Sequence, residues 1–128
     1  MNTIRERLSE KAARNRIPLI AAFELLPVCN LQCKMCYVRM PMPEVRKAGL
    51  WKSAEWGLKL AAEAREHGLL YPLLTGGEPF LHPQIFEILS GMSKMGLQVS
   101  INSNGTLIDQ EAVRKLSEYP PLRINLTL

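Results

Sequence analysis

The sequence predicts an α/β fold on a parallel sheet, from three observations. Short apolar runs alternate with longer amphipathic stretches throughout the 128 residues. The amphipathic stretches are bracketed by residues that start and stop helices. Clusters of Gly, Pro or Asn follow the apolar runs and break them off. Strand and helix in alternation make βαβ units, hence parallel strands joined by right-handed crossovers. The length suits one domain with a core of its own.

The elements follow in order. Residues 2–14 are helix-like, with Ile4, Leu8, Lys11 and Ala12 at helical spacing on one side. Residues 17–26 form a mostly apolar run suited to a buried strand. A cysteine-bearing loop comes next, then MPMPEVRKAG, whose prolines argue against regular structure. Ser53 is an N-cap and Glu55 a favourable first-turn acid for a helix reaching His67, with Gly68 as its C-cap. Residues 69–74 are a second apolar run. Pro83 fits the first turn of a third helix carrying Ile85, Phe86, Leu89, Met92 and Met95 and stopping near Gly96. Residues 97–101 make a third strand, closed by Asn102-Ser103-Asn104-Gly105. Asp109 caps a helix to about Tyr119, with Ala112, Val113 and Leu116 facing inward, and Pro120-Pro121 ends it. Residues 122–128 read as a fourth strand. Trp51 and Trp56 are expected as packing anchors. Residues 1–16 are a helical extension ahead of residues 17–128, without internal repeats.

Composition narrows the function classes. The formal charge of +4 gathers in Arg5, Arg7, Lys11, Arg14 and Arg16, interspersed with Glu6 and Glu10. No aromatic interleaves with them, so the run reads as a solvated helix face and not a nucleic-acid surface. The first sixteen residues are too polar for a signal peptide. The longest apolar stretch, residues 17–28, is broken by Pro18, Glu24 and Pro27 and is too short to span a bilayer. The expectation is a soluble cytoplasmic protein with reduced thiols and no membrane partner.

The three cysteines, Cys29, Cys33 and Cys36, all lie within CNLQCKMC. The spacing C-x3-C-x2-C gives a cubane iron–sulfur cluster three thiolates and leaves one iron open. A four-cysteine cluster commonly carries electrons, whereas an open iron can bind a small molecule. Zinc is the competing metal, but it wants four ligands, and neither His67 nor His82 has a knuckle-like spacing to the triplet. Free or buried thiols are the third alternative. Gly76-Gly77-Glu78-Pro79 ends the second strand; paired glycines let backbone approach a ligand, and carbonyls beside a carboxylate suit an ammonium group. The same segment also reads as an ordinary turn. Asn102, Ser103 and Asn104 either reach a ligand from the third strand end or form a turn. Glu24 is read as structural, His82 as a helix-start cap, and Met35, Met40 and Met42 as bystanders to a complete thiolate set. In parallel α/β folds the functional loops gather at the carboxyl ends of the strands, which places these three segments on one face.

CNLQCKMCY, LLTGGEPFLHP and VSINSNGTLID resemble the successive strand-end segments of the radical S-adenosylmethionine (radical SAM) superfamily. Among its branches they are most similar to the peptide- and protein-modifying, sulfatase-maturase-like enzymes. The resemblance covers residues 23–128 and implies a partial TIM-type (β/α)6 barrel, here truncated after about four strands. It implies that Cys29, Cys33 and Cys36 ligate a [4Fe–4S] cluster whose fourth iron is chelated by S-adenosylmethionine. By the same resemblance Gly76, Gly77 and Glu78 contact the SAM amino group, Tyr37 lies beside the adenine, and Asn102, Ser103 and Asn104 reach SAM or substrate. The implied reaction is reductive cleavage of SAM to a 5′-deoxyadenosyl radical that abstracts hydrogen from a substrate, a peptide or protein. A flavodoxin or ferredoxin would serve as electron donor. Leu26-Pro27-Val28 stand where the family commonly has a small polar residue, and the barrel's later strands are not in this sequence. The expectation is therefore a chain with little activity alone. The alternative is a non-catalytic iron–sulfur or zinc-binding module that engages a partner chain.

Overall fold

Four parallel strands form one sheet whose spatial order, β1-β2-β3-β4, repeats their order in the chain. In the computed structural model, which describes residues 3–127, the strands are β1 (Ile20–Glu24), β2 (Tyr71–Thr75), β3 (Ser100–Ser103) and β4 (Arg123–Leu126). The helices are α1 (Ile4–Arg14), α2 (Met42–Lys47), α3 (Ala54–Glu66), α4 (Ile85–Lys94) and α5 (Gln110–Glu118), with a 3₁₀ turn at Pro79–Leu81. The expected α/β class and parallel sheet are both present. Because the strand order never reverses, each crossover advances in the same direction. That is the winding of a barrel, unlike a doubly wound sheet with its switch point.

One face of the sheet is covered and the other is open. Leu74 and Ile101, with Phe23 and Ile124 packed beside them, meet Ala61 of α3, Ile88, Leu89 and Met92 of α4, and Leu116 of α5. The opposite face grades from Ile20 and Tyr71 at one end to Glu24, Thr75, Asn102 and Asn125 at the other, all exposed or half-buried. In register, Ala22 pairs with Leu73, Leu73 with Ser100, and Ser100 with Arg123. With only one side covered, burial alternates along β1, β2 and β3, so the apolar first run, expected to be a buried strand, is exposed at every second residue.

Several caps follow the sequence. Ser53 Oγ accepts from the Trp56 N–H, and Asp109 accepts from the Ala112 N–H at 2.8 Å. Gly68 and Gly96 follow α3 and α4 with φ of 107° and 82°, a left-handed turn that glycine adopts without strain. Thr3 and Glu6 add a reciprocal capping box on α1, which the T-x-x-E pattern could have disclosed.

Other expectations are corrected. MPMPEVRKAG is not irregular: Pro41 stands at the N-cap position of α2 and Pro43 in its first turn, where the missing N–H costs nothing. Pro83 lies ahead of α4, whose N-cap is Gln84. The first strand is shorter than residues 17–26. The third begins at Ser100, three residues later than expected, so Asn102 and Ser103 belong to the strand. Val113 is half exposed, because α5 turns only Ala112 and Leu116 inward. Trp51 stacks on buried His82 at 5.1 Å between centroids, but Trp56 is half exposed and anchors little. Position 2 of the expected first helix and Leu128 of the fourth strand lie outside the described residues. Among the described residues, no helix is long and apolar enough to cross a membrane.

Met92 is fully buried under the sheet. Met92→Ala should destabilise the chain by about 2–5 kcal/mol, measured as a lower urea midpoint. A loss below about 0.5 kcal/mol would contradict this packing.

Candidate functional site

Beyond the carboxyl ends of β1 and β2, the backbone ladder continues after the regular strands stop. Leu25 N–H donates to Thr75 O at 3.0 Å, Gly77 N–H to Leu26 O at 2.7 Å, and Glu78 N–H to Val28 O at 2.8 Å. Residues 75–78 are thereby laid against residues 25–28, the approach to Cys29. The contact explains both glycines. A Cβ on Gly76 would meet the Leu26 carbonyl, and one on Gly77 would meet the Val28 carbonyl and the Cys29 nitrogen. Gly76 also holds φ at 133°, where an L side chain is strained. The sequence reads these glycines as a turn or as room for a ligand; in the fold it is the neighbouring backbone that excludes a Cβ there.

Glu78 is almost completely buried. Its Oε1 accepts from Phe80 N–H at 3.1 Å and from Ser103 Oγ–H at 2.9 Å, while Oε2 accepts from Asn104 N–H at 2.8 Å. A carboxylate taken from water needs such donors, because an unpaired buried charge is far costlier than a paired one. Glu78 thus ties the end of β2 to the end of β3. Ser103 Oγ in turn accepts from Gly105 N–H at 2.9 Å.

A side-chain ring then joins the β3 end to the cysteine loop. Asn104 Nδ2–H donates to Asn30 Oδ1 at 2.9 Å, Asn30 Nδ2–H to Thr106 Oγ1 at 2.8 Å, and Thr106 Oγ1–H to Asn104 Oδ1 at 2.7 Å. Asn104 Nδ2 also lies 3.7 Å from Cys29 Sγ, and Leu31 N–H points at the same sulfur from 3.4 Å. Asn30 and Thr106 enter the sequence reading only as part of the CNLQCKMCY and VSINSNGTLID patterns. Their signal was weak: an Asn beside a cysteine and a Thr two after Asn104, in the spacing of an Asx turn.

The predicted site residues therefore divide. Cys29, Gly76, Gly77, Glu78, Ser103 and Asn104 come together. Cys33, Cys36 and Tyr37 stand on the exposed outer part of the loop, where Cys36 N–H donates to Cys33 O at 3.1 Å. Asn102 accepts from Asn125 Nδ2–H at 2.8 Å on the open sheet face. Glu24 lies on that face too, exposed. It borders a cavity of about 320 Å³ with Pro27, Tyr37, Val38, Met40 and Leu50. His82 acts as a cap, its Nδ1 accepting from Gln84 N–H at 3.1 Å while Nε2 pairs with Lys52 O at 2.9 Å.

All three thiols are free. Among the described residues no three His, Cys, Asp or Glu are gathered tightly enough for a single metal ion. A cubane makes a different demand, since each thiolate binds its own iron at a separate corner. The donor set fits it: three soft sulfurs on one exposed loop, one already met by N–H donors.

The family model described as Radical SAM superfamily matches residues 23–128. The chain is 38% identical over 103 residues to the antilisterial bacteriocin subtilosin biosynthesis protein AlbA of Bacillus subtilis, covering 80% of this chain and 22% of AlbA. It is 33% identical over 90 residues to Fe-coproporphyrin III synthase of Methanosarcina barkeri, covering 70% of this chain and 22% of that protein. With PqqA peptide cyclase of Methylocella silvestris it shares 31% over 104 residues, 81% of this chain and 26% of the cyclase. The crystal structure of Streptococcus suis SuiB bound to precursor peptide SuiA superposes with a TM-score of 0.74 at 22% identity. That match covers 100% of this chain and 30% of SuiB, and it establishes a shared fold. The chain thus spans between about a fifth and a third of these proteins' lengths.

Two substitutions test the junction. Gly77→Ala should lower stability by roughly 1–3 kcal/mol, because backbone and not a flexible side chain must give way. Glu78→Gln should lose about 1–3 kcal/mol, since its amide nitrogen is a donor facing other donors. Urea unfolding reads both; wild-type midpoints would refute the junction as described.

Proposed function

The chain belongs to the radical SAM superfamily, and we propose on that premise that it holds a [4Fe–4S] cluster and SAM at the carboxyl ends of its strands. The observation that carries the reading is the stitching of the cysteine loop to Glu78 and Asn104. Residues far apart in sequence are thereby fixed around one thiol. Cys29, Cys33 and Cys36 each hold one iron. When bound, the cluster and SAM supply a 5′-deoxyadenosyl radical that abstracts hydrogen from a substrate.

The chain's own residues position and shield that chemistry. The strand-like ladder fixes the first cysteine, while the outer loop stays free to bring Cys33 and Cys36 inward. Glu78 spends three acceptor positions on its own chain. A carboxylate has about four lone-pair sites, so one remains on Oε2 for the SAM amino group, beside the Gly76 and Gly77 backbone. Tyr37 and the cavity it borders receive the adenine. Ser103 steadies Glu78, and Asn102 faces substrate from the open side of the sheet.

The substrate class is a peptide or protein. AlbA and PqqA peptide cyclase support this, whereas the Fe-coproporphyrin III synthase makes a porphyrin the competing substrate. Residues 17–127 supply four strands of the partial barrel, behind helix α1, and a ferredoxin or flavodoxin delivers the electron in the reducing cytoplasm. Since half-buried Thr75 and Asn102 face an open side, turnover by these strands alone should be slow.

Anaerobic reconstitution should yield about four irons and four sulfides per chain. Replacing any of the three cysteines by Ala should abolish this loading. Adding SAM should change the EPR spectrum of the reduced cluster and release traces of 5′-deoxyadenosine. Zinc uptake without sulfide, or a cluster indifferent to SAM, would favour the non-catalytic binding module.

A further inference from the structure

We propose that Asn104 donates its side-chain N–H to the Cys29 sulfur and so raises the reduction potential of the bound cluster, acting as a positioning residue. The inference rests on the reading that the three cysteines hold a cluster. Asn104 Nδ2 stands 3.7 Å from Cys29 Sγ and 2.9 Å from Asn30 Oδ1, one hydrogen for each.

The orientation of the amide is fixed by its other end. Asn104 Oδ1 accepts from Thr106 N–H at 3.0 Å and from Thr106 Oγ1–H at 2.7 Å. A flipped amide would face its oxygen to Asn30 Oδ1 and its NH2 to the Thr106 N–H, losing those bonds. The Asn104 backbone is itself pinned through its N–H to Glu78 Oε2. Glu78 holds the main chain, Thr106 turns the side chain, and the N–H meets sulfur.

The three thiols are consequently unequal. Cys29 receives the Asn104 amide and the Leu31 N–H, while among the described residues no N–H donor reaches the Cys33 or Cys36 sulfur. A hydrogen bond to a ligating sulfur offsets negative charge and favours the reduced cluster, the lever by which proteins tune iron–sulfur potentials. A purely structural Asn104 would affect melting and leave the potential alone.

The test compares wild type, Asn104→Ala and Asn30→Ala after anaerobic reconstitution, without substrate. Iron and sulfide content is measured first, then the midpoint potential by EPR-monitored titration. With loading retained, the potential should fall in Asn104→Ala and not in Asn30→Ala, which keeps the Asn104 donor and removes an oxygen 3.9 Å from the same sulfur. The D2O sensitivity of an Fe–S(Cys) resonance Raman band should weaken in Asn104→Ala alone. An unchanged potential in Asn104→Ala overturns the proposal, and so do equal falls in both variants, which a disordered loop explains. If Asn104→Ala loads no cluster, Asn104→Leu takes its place, similar in size and uncharged but without the N–H. Its potential and D2O sensitivity must then fall as well, and wild-type values overturn the proposal. A wild-type chain that takes up no iron overturns the cluster reading itself, and its iron content separates that failure from the others.

Discussion

The site depends on three backbone hydrogen bonds made where the sheet has formally ended. Leu25, Gly77 and Glu78 donate across to Thr75, Leu26 and Val28, extending the β1–β2 pairing by one short step. That extension needs backbone to lie against backbone. Two glycines are the residues that permit it, because any Cβ would be driven into a carbonyl. Everything nearer the solvent hangs from this seam: the start of the cysteine loop on one side, the Glu78 carboxylate on the other.

Glu78 shows how a buried charge can organise rather than strain. It collects donors from the turn that follows it and from the end of β3. Through Asn104 the same carboxylate reaches the cysteine loop indirectly. A chain of ordinary hydrogen bonds thus spans three strand ends without any side chain of unusual chemistry.

Much of this was legible in the sequence. Alternating apolar and amphipathic segments disclosed the parallel sheet, and Ser53, Asp109, Gly68 and Gly96 marked helix ends by local chemistry. The strand-end segments CNLQCKMCY, LLTGGEPFLHP and VSINSNGTLID also identified the family. The misses have physical reasons. Proline was read as a breaker in MPMPEVRKAG, yet at a helix start it is tolerated. Val113 fitted an apolar pattern whose true face was narrower, and β3 slipped three residues because Leu97 and Val99 are buried ahead of the strand. The partners of Asn30 and Thr106 were illegible for another reason: they lie more than 70 residues apart, and no local pattern records such a pairing.

The strand order has a consequence for how the molecule comes into being. Each βα unit adds to the one before it, so a chain emerging from its N-terminus can lay its sheet down in order. The side-chain bonds around Cys29 do not follow that timetable. Asn104 is made 75 residues after Cys29, and Glu78 has no β3 donor until then. The earliest-synthesised part of the site is therefore fastened twice, at its root by Gly77 and Glu78 and at Cys29 only when Asn104 arrives.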